Sequence, residues 1–184
     1  GKDELTLGAG EDTVDVQDMN LINANLITVT DFDTDADDLD IDEATNLGTS
    51  GGGDIVGGLS AAAELDVVSA GTSYTVTGGA AAIEFNFEFD SDVDLNNADL
   101  AEFVSAAGAA DDETASSTTA ATTLDAAADT DAVLAIAYQD GDAFLFTLTE
   151  GSDPDSDFTN DGSLALVGVL EDVGVGDLGI GNFS

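Results

Sequence analysis

The side chains able to do chemistry in this chain are almost all aspartates, and they recur at short, regular spacings. Asp31, Asp33, Asp35 and Asp37 alternate along one stretch, and Asp153, Asp155 and Asp157 along another. Asp3 and Asp12 stand nine residues apart in segments that also carry Gly8 and Gly10. Carboxylates set close together, with glycines that let backbone carbonyls turn inward, form the donor set of hard cations, and calcium takes roughly six to eight such oxygens. The run from Asp31 opens like a helix-loop-helix calcium loop. That reading fails, because Ala36 stands where the sharp turn needs Gly and Asp42 where a bidentate Glu is required. A strand-connecting turn that holds calcium and a solvated acidic turn both remain consistent with these residues.

What the chain lacks is equally informative. Its 184 residues include 40 acidic side chains against one basic one, Lys2, with no histidine and no cysteine, for a formal net charge of -39. The usual general-base, thiol and phosphate-clamp chemistries have no side chains here, so an enzyme is not expected. Carboxylate-pair glycosidase chemistry is not marked either: no particular pair stands out and Trp is absent. Nucleic acids and anionic membranes, which are bound through Lys and Arg, are excluded as partners. Of the acids only ten are Glu, and the Asp bias favours turns, caps and cation sites over helices. The same composition also suits a solvated acidic exterior. The hydrophobic fraction of 43% is that of an ordinary globular protein, so the chain can bury a core despite its charge.

Residues 1 to 15 carry an internal repeat with a period of nine, Gly1-Lys2-Asp3-Glu4-Leu5-Thr6 and then Gly10-Glu11-Asp12-Thr13-Val14-Asp15. The stretch Leu7 to Asp15 fits G-G-x-G-x-D-x-U-x with only the first Gly replaced. With the strand, acidic turn and strand pattern of Ile27 to Asp42, residues 1 to about 42 resemble the terminal part of a repeats-in-toxin (RTX) protein exported by a type I secretion system. That resemblance implies a short calcium-binding β-roll, with Asp3, Asp12 and the carbonyls near Gly8 and Gly10 as ligands, each site shared between rungs about two repeats apart. Asp31, Asp33, Asp35 and Asp37, and the later Asp153, Asp155 and Asp157, are further candidate metal ligands.

From residue 43 to 72 glycines punctuate short apolar pieces, which reads as a glycine-rich connection. Residues 73–184 read as a second module. Ile83 to Phe89 alternates apolar with polar, the period of a half-buried strand. Leu100, Phe103 and Val104 fall on one helical face behind an Asx cap, and a weaker second helix is expected near Leu124 to Ala128. The pair Asp140-Gly141 between Ala132–Tyr138 and Ala143–Thr149 predicts a β-hairpin, followed by a strand over Leu164–Leu170. The expected fold is therefore mainly β, a short calcium-binding roll-like segment followed by an antiparallel sheet or sandwich with one or two helices. The tail, ending Gly181-Asn182-Phe183-Ser184, is similar to the ends of RTX and bacterial surface-layer proteins, which implies an uncleaved export signal there.

Together these features point to a secreted, calcium-binding structural protein. The expected location is extracellular or at the cell surface, in a layer, filament or matrix that assembles from copies of itself. The alternative is a calcium-binding export tail of a larger hydrolase, toxin or adhesin. On either reading calcium is the expected cofactor, neutralising carboxylates that otherwise repel one another.

Overall fold

The computed structural model describes residues 3–15, 26–40, 65–69, 74–76, 82–109, 124–126, 132–149 and 162–183. Most of the glycine-rich connection and the acidic run Asp153, Asp155 and Asp157 lie outside these residues. The fold is mainly β. Eleven strands are β1 Asp3–Leu5, β2 Thr13–Asp15, β3 Ile27–Val29, β4 Asp38–Asp40, β5 Leu65–Val68, β6 Tyr74–Val76, β7 Ala82–Glu88, β8 Leu124–Ala126, β9 Ala132–Gln139, β10 Asp142–Thr149 and β11 Ser163–Leu170. Among the described residues one α-helix, α1, covers Leu100–Ala109.

Seven strands form one mixed sheet in the order β1-β3-β11-β10-β9-β7-β5, and two further two-stranded sheets pair β2 with β4 and β6 with β8. The expected antiparallel sheet is thus corrected. Only β9–β10 and β10–β11 are antiparallel, and β1–β3, β3–β11, β7–β9 and β5–β7 all run parallel. The reason is connectivity, since a tight turn reverses direction whereas a chain that crosses through a second layer returns parallel. The hairpin is as expected. Asp140 and Gly141 both take positive φ, 56° and 88°, the backbone of a two-residue turn matched to strand twist. The second helix is also corrected. Leu124–Ala126 is a three-residue strand in register with Tyr74–Val76, because sheet pairing overrides the local preference of so short a segment.

The residues of the N-terminal repeat and the C-terminal tail wind into stacked coils. Coil one is β1, a turn over residues 6–12, and β2. Coil two is β3, a turn over 30–37, and β4. Coil three is β11, a turn over 171–182, and Phe183, which bridges Leu39 in parallel. Equivalent side chains superpose: Leu5, Val29 and Leu170 share one row, Val14, Leu39 and Phe183 another. Each interior member is buried, and only Leu5, at the open end of the stack, is 37% exposed.

The large sheet is covered on both faces, and its central strands are accordingly apolar on both sides rather than alternating. On one face Val14, Val29, Phe32, Leu39, Val173, Leu178 and Phe183 of the coils pack over Leu134, Ile136, Tyr138 and Leu145. On the other, Phe103 and Val104 of α1 pack with Phe85, Phe89, Phe144 and Phe146. Phe103 lies 5.2 Å from Phe85 at 83°, and 5.1 Å from Phe146 at 63°, edge-to-face contacts that add to burial. The helix starts where a capping box places it: Glu102 N–H donates to Asp99 Oδ1 at 2.9 Å, and Asp99 N–H to Glu102 Oε2 at 3.4 Å.

A polar pair sits inside the coil-side core. The Tyr138 hydroxyl donates to Glu84 Oε1 at 2.7 Å, with both residues buried. The phenol is held far above its ordinary value near 10, first by burial, then by its hydrogen bond to Glu84 and the charge of that carboxylate. The Gly176 amide pulls the other way and Asp177 adds to the rise.

Two measurements check this account. Phe103→Ala removes the ring on which three other phenylalanines converge and should cost about 3–5 kcal/mol in urea unfolding. The raised Tyr138 gives a definite sign at high pH: the folded state keeps a proton that the unfolded chain releases near pH 10. Stability from this group is therefore complete below about pH 10 and falls above it by up to ~1.4 kcal/mol per pH unit. Tyr138→Phe should flatten that alkaline loss, while at neutral pH it costs about 1–3 kcal/mol by leaving the Glu84 carboxylate without its donor.

Candidate functional site

The acidic residues singled out by their spacing gather at the turns of the coil stack. Glycine makes the first turn possible, since Gly8 and Gly10 adopt φ of 97° and 144°, values open to few other residues. With Gly8 turned this way, the Leu7 and Gly8 amides point together at the second turn. There they donate to Asp31 Oδ1 and Oδ2 at 2.8 and 3.0 Å.

Asp37 makes the second junction. The residue is 1% exposed, and its carboxylate accepts the Asp12 amide on Oδ1 at 3.0 Å and the Asp33 amide on Oδ2 at 2.9 Å. The backbone adds Asp38 N–H to Asp12 O and Thr30 N–H to Leu5 O, with the Thr6 and Thr30 hydroxyls 3.0 Å apart. The third turn is tied by Asn182, a buried residue whose Nδ2 donates to Thr34 O at 2.8 Å and Asp37 O at 3.1 Å. Its Oδ1 accepts the Gly179 amide.

The structure thus joins Gly8 with Asp31, and Asp12 and Asp33 with Asp37, but brings no set of expected ligands to face one point among the described residues. Asp3 lies in exposed strand β1. Asp33 and Asp35 are exposed, and Asp33 Oδ1 accepts the Asp35 amide in a local turn. Among the described residues no three acidic side chains converge to hold a metal ion. Tested against a calcium ion, the donor set does not fit. A closed site needs several oxygens facing one point, whereas all four oxygens of Asp31 and Asp37 face backbone N–H donors.

Sequence reasoning missed Asn182, whose only local signal is a polar residue between apolar neighbours. It also missed the loop between β7 and α1. There Asp92, Asp94, Asn97, Asp99 and Glu102 line an open depression of about 860 Å³. Those carboxylates serve the loop itself: Asp90 accepts the Asp92 amide, Asp94 accepts Asn96 N–H and Asn97 Nδ2, and Asp99 and Glu102 cap the helix. Gln139, buried at the end of β9, holds the loop down by donating to Asp90 O and Val93 O, both at 2.7 Å.

What the site offers chemically is a ladder of hydrogen-bonded turns rather than a pocket with a nucleophile or an acid-base pair. No protein-family model, curated protein or solved structure matches this chain.

Proposed function

We propose that this chain is an extracellular structural module that joins copies of itself, edge to edge, in a cell-surface layer, filament or matrix. The observation that supports this reading is the direction of the two outer strands. Strand β1 is parallel to β3 and β11, two antiparallel steps through β10 reach β9, and β7 and β5 follow in parallel. The outer strands β1 and β5 therefore run the same way, and among the described residues neither has a partner on its outer side. Placing β5 of one copy beside β1 of the next continues a parallel sheet. Such a heterologous contact adds copies one after another, into a filament or sheet unless its rotation closes a ring.

The side chains suit it. Leu5 on β1 and Val67 on β5 point to the same face of the sheet by register, and at 37% and 52% exposure they are two of the three exposed large hydrophobics among the described residues. Charge opposes the contact, since β1 itself carries Asp3 and Glu4 and each copy has a net charge of -39. Assembly accordingly requires counter-ions, and calcium suits that role as a divalent ion gathered by solvent-facing carboxylates such as Asp3, Asp33 and Asp35 rather than caged in a turn.

Light scattering and negative-stain imaging test the proposal. In millimolar calcium the chain should form extended polymers that dissolve on chelation at matched ionic strength. Val67→Asp should leave it monomeric with an unchanged circular dichroism spectrum. A chain that stays monomeric in calcium across the accessible concentration range would overturn the reading.

A further inference from the structure

A cation is needed between two turns when both present oxygen lone pairs to each other. The first two turns of this stack are complementary instead. Turn one offers N–H groups at Leu7, Gly8 and Asp12, and turn two answers with the carboxylates of Asp31 and Asp37. Two consecutive amides converging on one anion form the concave arrangement that backbone uses to bind free anions, and here the anion is supplied by the chain itself. Such bonds are charge-assisted and stronger than neutral ones, above all at Asp37, where water is excluded.

The polarity then alternates up the stack. Turn two shows turn three its carbonyls, Thr34 O and Asp37 O, so the bridging group there must be a donor. Asn182 supplies a neutral NH₂ where an aspartate would be repelled.

We propose that the carboxylates of Asp31 and Asp37 take the structural place of a calcium ion, tying coil one to coil two through the three backbone N–H groups of Leu7, Gly8 and Asp12, with the Asp33 amide fastening Asp37 within its own turn, so that the turns close without a bound cation. Their spacing makes Asp31 and Asp37 candidate cation ligands, and the geometry assigns them as anion acceptors of the backbone. This holds independently of any cations gathered on the exterior during assembly.

Hydrogen exchange read at single residues on the full chain separates the two roles. In excess chelator the amides of Leu7, Gly8, Asp12 and Asp33 should exchange at least about tenfold more slowly than unstructured amides, and millimolar calcium should change them by less than about twofold. Asp31→Ala should release Leu7 and Gly8 alone, and Asp37→Ala should release Asp12 and Asp33. Should either variant fail to fold, the wild-type comparison still decides. Four amides that are unprotected in chelator and slow only when calcium is added would overturn the proposal, as would four amides unprotected under both conditions.

Discussion

A chain whose one cationic side chain is Lys2 has at most one side-chain ammonium to offer its 40 acids, so the acids drawn inside must be met almost entirely by uncharged N–H or O–H donors. The rest of the structure follows from that constraint. Asp37 is buried because two amides reach it, and Glu84 because the Tyr138 hydroxyl does. Both sites depend on a donor brought from elsewhere in the chain, and at Asp37 burial of the acid and stacking of coils one and two are one event. An unpaired charge inside would cost several kcal/mol, enough to cancel much of a domain's stability.

The same constraint divides labour between the sheet's two faces. The face under α1 is nearly pure hydrocarbon and is held by phenylalanine packing. The coil face mixes apolar rows with hydrogen-bonded turns, and its strands β1 to β4 are only three residues long. Strands that short bury little area each, and turn-to-turn bonds compensate for what hydrophobic contact cannot supply there.

Local features were legible in the sequence and distant pairings were not. Asp140-Gly141 marks its hairpin because a positive-φ turn needs those residues, and an Asx cap ahead of Leu100, Phe103 and Val104 marks the start of α1 because cap and apolar face lie within a few positions. Gly8 and Gly10 signal a tight turn for the same reason. Nothing near Asp31, by contrast, reveals that its partner is the Leu7 amide 24 residues away, and nothing near Asn182 points to Thr34 across 148 positions. Parallel pairing is a choice of partner, and the period-two pattern of a strand does not encode it. The acids of the coil turns were found by spacing, but the role of Asp31 and Asp37 as acceptors depends on which turn stacks on which.

The order of the coils along the chain has a kinetic consequence. Coil two is assembled from residues 27–40, yet the coil that covers it is built from residues 163–183. During synthesis the Asp37 turn therefore stays half-covered until Asn182 and Phe183 appear. The fold is of high contact order and closes late. Any chain ending before Asn182 and Phe183 lacks both the donor for the Thr34 and Asp37 carbonyls and the last ring of the Val14, Leu39 and Phe183 row. The presence of residues 182 and 183 is thereby built into the fold as a condition for its stability.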